Sequence, residues 1–194
     1  MTTRSPGRPR SESARRAILG ATTELIERSS YGRVTMESIA RRAGVSKQTV
    51  YRWWPTKAAI LLEALNEGAA AISPGRDTGS FETDLRTFLR STVAGAGRNG
   101  RLLAALMAEV QFDEDLAEAF RTGFLARRRQ VLGELLDRGR NTGAFAATAD
   151  TDLLVELVFG TLWYRILAQN RPLNRVFADG LTHSVLTLGA VGSQ

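Results

Sequence analysis

Apolar residues recur along this chain at steps of three and four, the spacing that places them on one side of an α-helix, while strict apolar–polar alternation is scarce. A first helix is predicted from about Ser11, with Ala14, Ile18, Ala21, Leu25 and Ile26 sharing a face. "SSYG" ends it, and Gly32 can supply a left-handed C-cap. Two short helical segments follow, at about 35–42 and 46–53, and a fourth helix starts at Thr56 and runs through "KAAILLEALNEGAAA". "SPGRDTGS", residues 73–80, is the clearest cluster of breakers and predicts a domain boundary. Five further helices are expected at about 81–95, 101–111, 114–138, 151–169 and 173–189. "GAGRNG", the Phe112–Asp113 break, "GRNTGAFAATA" and "QNRPLN" divide them. The fold class is all-α with about nine helices: an arm over 1–10 expected to be disordered, a first domain over 11–72 and a second over 73–194.

Length and composition add bounds rather than identity. The 194 residues suffice for one good core, or for a small and a medium domain. At 43% hydrophobic and 24% charged, the chain has the composition of an ordinary soluble protein. The absence of cysteine excludes disulfide and thiolate chemistry and fits a reducing cytoplasm. No unbroken apolar segment follows the basic N-terminus, and the longest apolar run, "LLAALMA" from Leu102, is too short to span a bilayer. A cytoplasmic protein without a signal peptide is expected. Charge is more telling. Residues 1–60 carry twelve Arg and Lys against four Asp and Glu, and the remainder carries fourteen against sixteen. A basic first third on a slightly acidic body is the footprint of a part that meets polyanion.

Residues 34–53 read as helix, tight turn, helix. Thr35 can N-cap the first segment, Ile39 and Ala40 face inward, and Gly44 permits the positive φ of a tight turn. Ser46 caps the second segment and Val50 packs back on the first. Pro55 disfavours helical geometry at Trp54 and stops the element there. What remains outward is Lys47, Gln48, Thr49, Tyr51 and Arg52, a hydrogen-bonding set suited to base edges in a major groove. The only two lysines, Lys47 and Lys57, both open helices, where a cation faces the positive end of the dipole. Phosphates at those helix ends would relieve the misplacement. In the arm, Arg8 and Arg10 around Pro9 can lie extended in a minor groove, or trail as a solvated tail.

"GRVTMESIARRAGVSKQTVYRWWPTKAAILLEAL" resembles the N-terminal domain of TetR-type (tetracycline-repressor-like) transcriptional regulators. Thr35, Ile39-Ala40, Ala43-Gly44-Val45-Ser46, Thr49, Tyr51 and Lys57 carry the likeness, over about residues 12–65. The resemblance implies an N-terminal three-helix helix-turn-helix DNA-binding domain and a C-terminal helical dimerisation and effector domain. It further implies that Gln48 and its neighbours read bases while Thr35, Thr49, Tyr51, Trp53 and Lys57 hold the backbone. Two residues depart from the pattern. Gln48 replaces a small residue, and Trp53-Trp54 replaces smaller aromatics, with Trp54 expected to pack inward and Trp53 to lie nearer the phosphates.

In the second domain, helix 151–169 is apolar nearly all round, and 173–189 repeats apolar residues at four-residue steps. A homodimer interface built from Leu153, Leu157, Phe177, Leu181, Val185 and Leu188 is expected. Met107, Phe112, Phe120, Phe124, Trp163 and Tyr164 are candidates to line an apolar effector cavity, although such stripes also build plain cores. No metal, cofactor or enzyme chemistry is expected: the single His183 has no cysteine to join, and no nucleophile sits beside a base. The first acids of "DEDLAE", 113–118, read as helix N-terminal charges. Two functions stay open. One is a dimeric, sequence-specific regulator, a repressor released from a palindromic double-stranded operator by a small apolar or amphipathic ligand. The other is a sequence-tolerant architectural DNA binder without an effector. A third, an all-α carrier or enzyme, leaves the basic third unexplained.

Overall fold

The computed structural model describes residues 12–70, 77–169 and 171–190, so the arm with Arg8 and Arg10 lies outside the described residues. Every described element is helical. In order these are α1 (Glu12–Arg28), a 3-10 turn (Tyr31–Arg33), α2 (Met36–Ala43), α3 (Lys47–Trp53), α4 (Lys57–Ala70) and α5 (Phe81–Glu109). Then follow α6 (Glu114–Ala119), a π-helical segment (Phe120–Leu125), α7 (Ala126–Asn141), α8 (Thr151–Tyr164), a second π segment (Arg165–Gln169) and α9 (Arg175–Ala190). The chain divides into two compact units, one ending at Ala64 and one starting at Leu65, inside α4.

The first unit closes around Ile18, Ile39, Val50, Ile60 and Leu61, each fully buried. Local chemistry sets its element ends. The Thr35 hydroxyl accepts from the Ser38 N–H, and the Ser38 hydroxyl accepts in return from the Thr35 N–H, a reciprocal cap on α2. Gly44 ends α2 at φ 67°, where a side chain would be strained, and the Val45 N–H reaches back to the Ala40 carbonyl. Ser46 then accepts from the Thr49 N–H to start α3, and Thr56 does the same for Ala59 at the start of α4.

The second unit packs α5, α7, α8 and α9 around Leu85, Leu89, Val93, Leu132, Leu136 and Val158. Here the expected pair of helices at 81–95 and 101–111 is corrected: α5 runs unbroken for 29 residues through "GAGRNG". Glycine there is a contact surface, not a stop. A Cβ on Gly97 would stand 3.0 Å from the Leu173 carbonyl oxygen, so the bare backbone lets the segment before α9 come close. Asn99 turns its amide back on the Gly95 carbonyl, one turn earlier, at 2.9 Å. The helix expected over 114–138 is also continuous, but its ladder loosens into π geometry at Phe120–Leu125. Asp113 caps it by accepting from the Leu116 N–H, with Glu114 and Asp115 in the first turn.

Candidate functional site

Two places gather the residues singled out from sequence, one in each unit. In the first, α3 is short, and its inner side is anchored to the rest of the unit. Val50, on its inner side, is fully buried. Trp54, its C-cap residue, is 3% exposed and donates its indole N–H to Glu63 at 2.7 Å, while Arg15 of α1 donates to the other Glu63 oxygen at 2.5 Å. Trp53 is half-buried and meets Trp54 edge-on, ring centroids 5.6 Å apart. One carboxylate therefore joins α1, the end of α3 and α4. With its inner face fixed, α3 presents Lys47, Gln48, Tyr51 and Arg52 outward, and Thr49 half-covered with its hydroxyl 2.8 Å from that of Ser46. Thr35 is exposed at the start of α2.

The two lysines do not simply face solvent. The Lys47 ammonium pairs with Glu37 in the first turn of α2 and lies 5.5 Å from the Tyr51 ring centroid. That pairing holds the Glu37 carboxyl below its ordinary range and lifts the Lys47 ammonium above its own. Lys57 is half-buried. Its ammonium donates to the carbonyls of Tyr31 (2.8 Å) and Val34 (3.0 Å) and sits 4.0 Å above the Tyr31 ring. Sequence spacing placed both cations at helix poles but could not show these partners. Lys57's lie more than twenty residues upstream, in the turn that delivers Thr35 to its cap. Arg52 projects outward from the last turn of α3.

In the second unit, a cavity of about 60 Å³ opens between α5, α8 and the helix that carries the first π segment. Three irregularities converge on it: Gly95 and Ala96 from the glycine stretch of α5, Phe124 and Leu125 from the first π segment, and Ile166 from the second. Of the six residues expected to line it, Phe124 and Trp163 do. Phe120 backs the wall, stacked on Phe124 at 5.2 Å and edge-on to Trp163 at 6.1 Å. Met107, Phe112 and Tyr164 line no part of it. Phe112 is 92% exposed where α5 ends, and Tyr164 is 57% exposed on the outer side of α8. An all-round apolar helix does not reveal which side turns inward.

The sequence pattern did not single out three polar wall residues: Thr92, Asn99 and Arg128. Thr92 and Asn99 were readable, since they stand seven residues apart on the apolar stripe of α5 that ends in Leu103. Arg128 sits in the run "ARRRQ", where it looks like a solvated charge. It is not: burial, and next the neighbouring charge of Arg127, push its guanidinium down to about 10.

A groove between α8 and α9 collects Leu157, Phe177, Leu181, Val185 and Leu188, with Arg165 lying over the Phe177 ring. Leu153, Leu157 and Leu188 are between 42% and 52% exposed, and Val176 is 80% exposed. Leu181 and Val185 line the floor of this groove and are covered more than the others. At 8% and 2% exposed they also belong to the unit's own core, since the four-residue step that defines a stripe covers buried and half-exposed positions alike. No helix among the described residues is long and apolar enough to cross a membrane. His183 is exposed on α9.

Residues 18–64 match the family of bacterial regulatory proteins, tetR family, and residues 76–185 match the tetracyclin repressor-like C-terminal domain. The chain is 35% identical to the "Uncharacterized HTH-type transcriptional regulator YdeS" of Bacillus subtilis (strain 168), over 90% of this chain and 89% of that one. It is 28% identical to the "DNA-binding transcriptional repressor TetR" of Mycobacteroides abscessus, over 91% and 94% of the two chains. Among solved structures, the TetR family transcription regulator SCO0332 superposes with a TM-score of 0.72 at 32% identity, covering 91% of this chain and 98% of the other.

Proposed function

This chain belongs to the TetR family of DNA-binding transcriptional regulators, and from that premise we propose that it is a homodimeric, sequence-specific repressor released from its operator by a small amphipathic ligand. The observation that supports sequence-reading most directly is the outward face of α3. Gln48 stands exposed between Lys47 and the Tyr51–Arg52 pair, on a helix whose inner side is locked by Val50 and Trp54. Glutamine offers adenine a bidentate pair, and arginine offers guanine one. In this reading Thr35, Ser46, Thr49, Tyr51 and Trp53 hold backbone phosphates, which set register without carrying sequence. Lys47 contributes by exchanging Glu37 for phosphate, and Lys57 by securing the Tyr31–Val34 turn beneath Thr35.

One short reading helix covers too few bases to be selective, so two copies are needed. The exposed apolar residues along the α8–α9 groove suit a two-fold interface of four helices. Release then requires a ligand that prefers a dimer whose reading helices are wrongly spaced, because only a difference in affinity moves the equilibrium. The cavity with its mixed lining is the place for such a ligand. The relatives from Bacillus and Mycobacteroides are regulators, which supports a regulatory role for this chain over an enzymatic one. Titration against the DNA upstream of its own gene, at several salt concentrations, tests the proposal. A specificity ratio over random duplex of at least about 10³ is expected. A ratio near one, with a steep salt slope, would instead identify a sequence-tolerant architectural binder.

A further inference from the structure

The wall of the second unit's cavity carries a cation that pairs with no carboxylate among the described residues. The Arg128 guanidinium lies 3.3 Å from the Phe124 ring centroid and donates to the Phe124 carbonyl at 2.7 Å. All of the chain's Asp and Glu residues fall among the described residues, and none of their carboxylates is in ion-pair distance of Arg128. Its charged neighbour is another cation, Arg127. Arg128 is half-buried, and covering a charge even in part is costly unless something pairs with it. A second group on the same wall is also unanswered: the Thr92 hydroxyl is buried in a residue 6% exposed and has no hydrogen-bond partner among the described residues. Asn99 adds an amide whose second N–H can donate.

We propose that this cavity binds a compact carboxylate-headed amphipath, with Arg128 pairing with the carboxylate, Thr92 and Asn99 donating to it, and the apolar body against Phe124, Phe159 and Trp163. The proposal rests on the reading of the cavity as the effector site and names the chemistry of its effector. Each polar wall group is able to donate, and an ionised carboxylate only accepts. A planar guanidinium matches a carboxylate fork to fork. One half-buried cation balances a single negative charge, whereas a doubly charged phosphate in this apolar surround would remain uncompensated. A cationic ligand would be repelled by Arg128. The free volume holds roughly four to six waters, about the bulk of a short fatty or aromatic acid.

Thermal unfolding and calorimetric titration of the full chain test this with two isosteric pairs, benzoate against benzamide and hexanoate against hexanamide. Each acid is expected to raise the unfolding temperature in a saturable way and to bind at least about tenfold tighter than its amide. Arg128→Gln is expected to erase that preference, Arg128→Lys to retain part of it, and Thr92→Val to weaken acid binding several-fold. Equal binding of acid and amide by the unaltered protein overturns the proposal. So does binding of neither, or an unchanged preference in Arg128→Gln. The wild-type comparison decides even if a variant fails to fold. Since it uses no DNA, its failure is distinct from failure of the operator titration, which tests the regulator reading alone.

Discussion

Lys57 shows how far a single residue can be understood from its neighbours in sequence. Its place at the start of α4, after Pro55 and the capping Thr56, is legible because caps and breakers act within a turn. The same holds for Thr35, Gly44 and Ser46, whose roles follow from one or two local hydrogen bonds. The partners of its ammonium are not legible, since folding brings Tyr31 and Val34 to it from another element. Lys57→Met keeps the stem but strips both charge-assisted bonds, and is expected to cost about 2–4 kcal/mol of stability. Guanidinium-chloride unfolding checks this; an unaltered midpoint with weakened DNA binding would return Lys57 to a pure phosphate contact. Gln48→Ala is expected to leave the midpoint in place and relax discrimination at one base position by about 1–3 kcal/mol. Competition binding with single-base operator variants reads it out, and a uniform loss over all variants would deny Gln48 a base.

At the scale of elements, α5 is where the local signal and the fold disagree. Four residues of "GAGRNG" favour a break, yet the segment is helical because Gly97 admits the Leu173 backbone and Asn99 bonds back to Gly95. Tertiary packing outweighs a propensity deficit of about 1 kcal/mol per glycine. Gly100, unlike Gly97, has nothing within 4 Å of the point where a Cβ would stand, so Gly100→Ala is expected to stabilise by about 0.5–1 kcal/mol. Gly97→Val is expected to destabilise, because it must displace Leu173. Calorimetric melting of both variants tests the continuity of the helix, and destabilisation by Gly100→Ala would favour a break. The clasp between α5 and α9 has a pH signature. Arg90 donates to both oxygens of Asp179, at 2.6 and 2.9 Å, and these bonds hold that carboxyl below its ordinary range. A lowered folded-state value means that the contribution is present at neutral pH and fades as acid passes from the ordinary carboxylate value down to the lowered one. Asp179→Asn is therefore expected to melt below wild type at neutral pH, with the gap narrowing on acidification. A gap constant with pH would remove the ion pair as its cause.

For the whole molecule, the question is what covers the α8–α9 groove. Periodicity identified the two helices and their apolar character correctly, but a repeat of four cannot separate residues buried in the unit's core from residues left outside. Leu181 and Val185 fall in the first class, and Leu157 and Leu188 in the second. The distinction determines which substitution is informative. Placing glutamate at Leu181 or Val185 buries a charge in the core and is expected to unfold the unit, which says nothing about assembly. Placing it at Leu157 and Leu188 leaves the monomer's core untouched and sets like charges along the proposed two-fold face. The double variant Leu157→Glu with Leu188→Glu is expected to retain wild-type helicity, sediment as a monomer, and bind its operator at least about 10²-fold more weakly, because two half-sites no longer act together. Analytical ultracentrifugation with circular dichroism on one preparation decides the matter. A folded variant that still sediments as a dimer moves the interface off this groove, while a folded monomer that binds DNA as tightly as wild type removes the need for two copies.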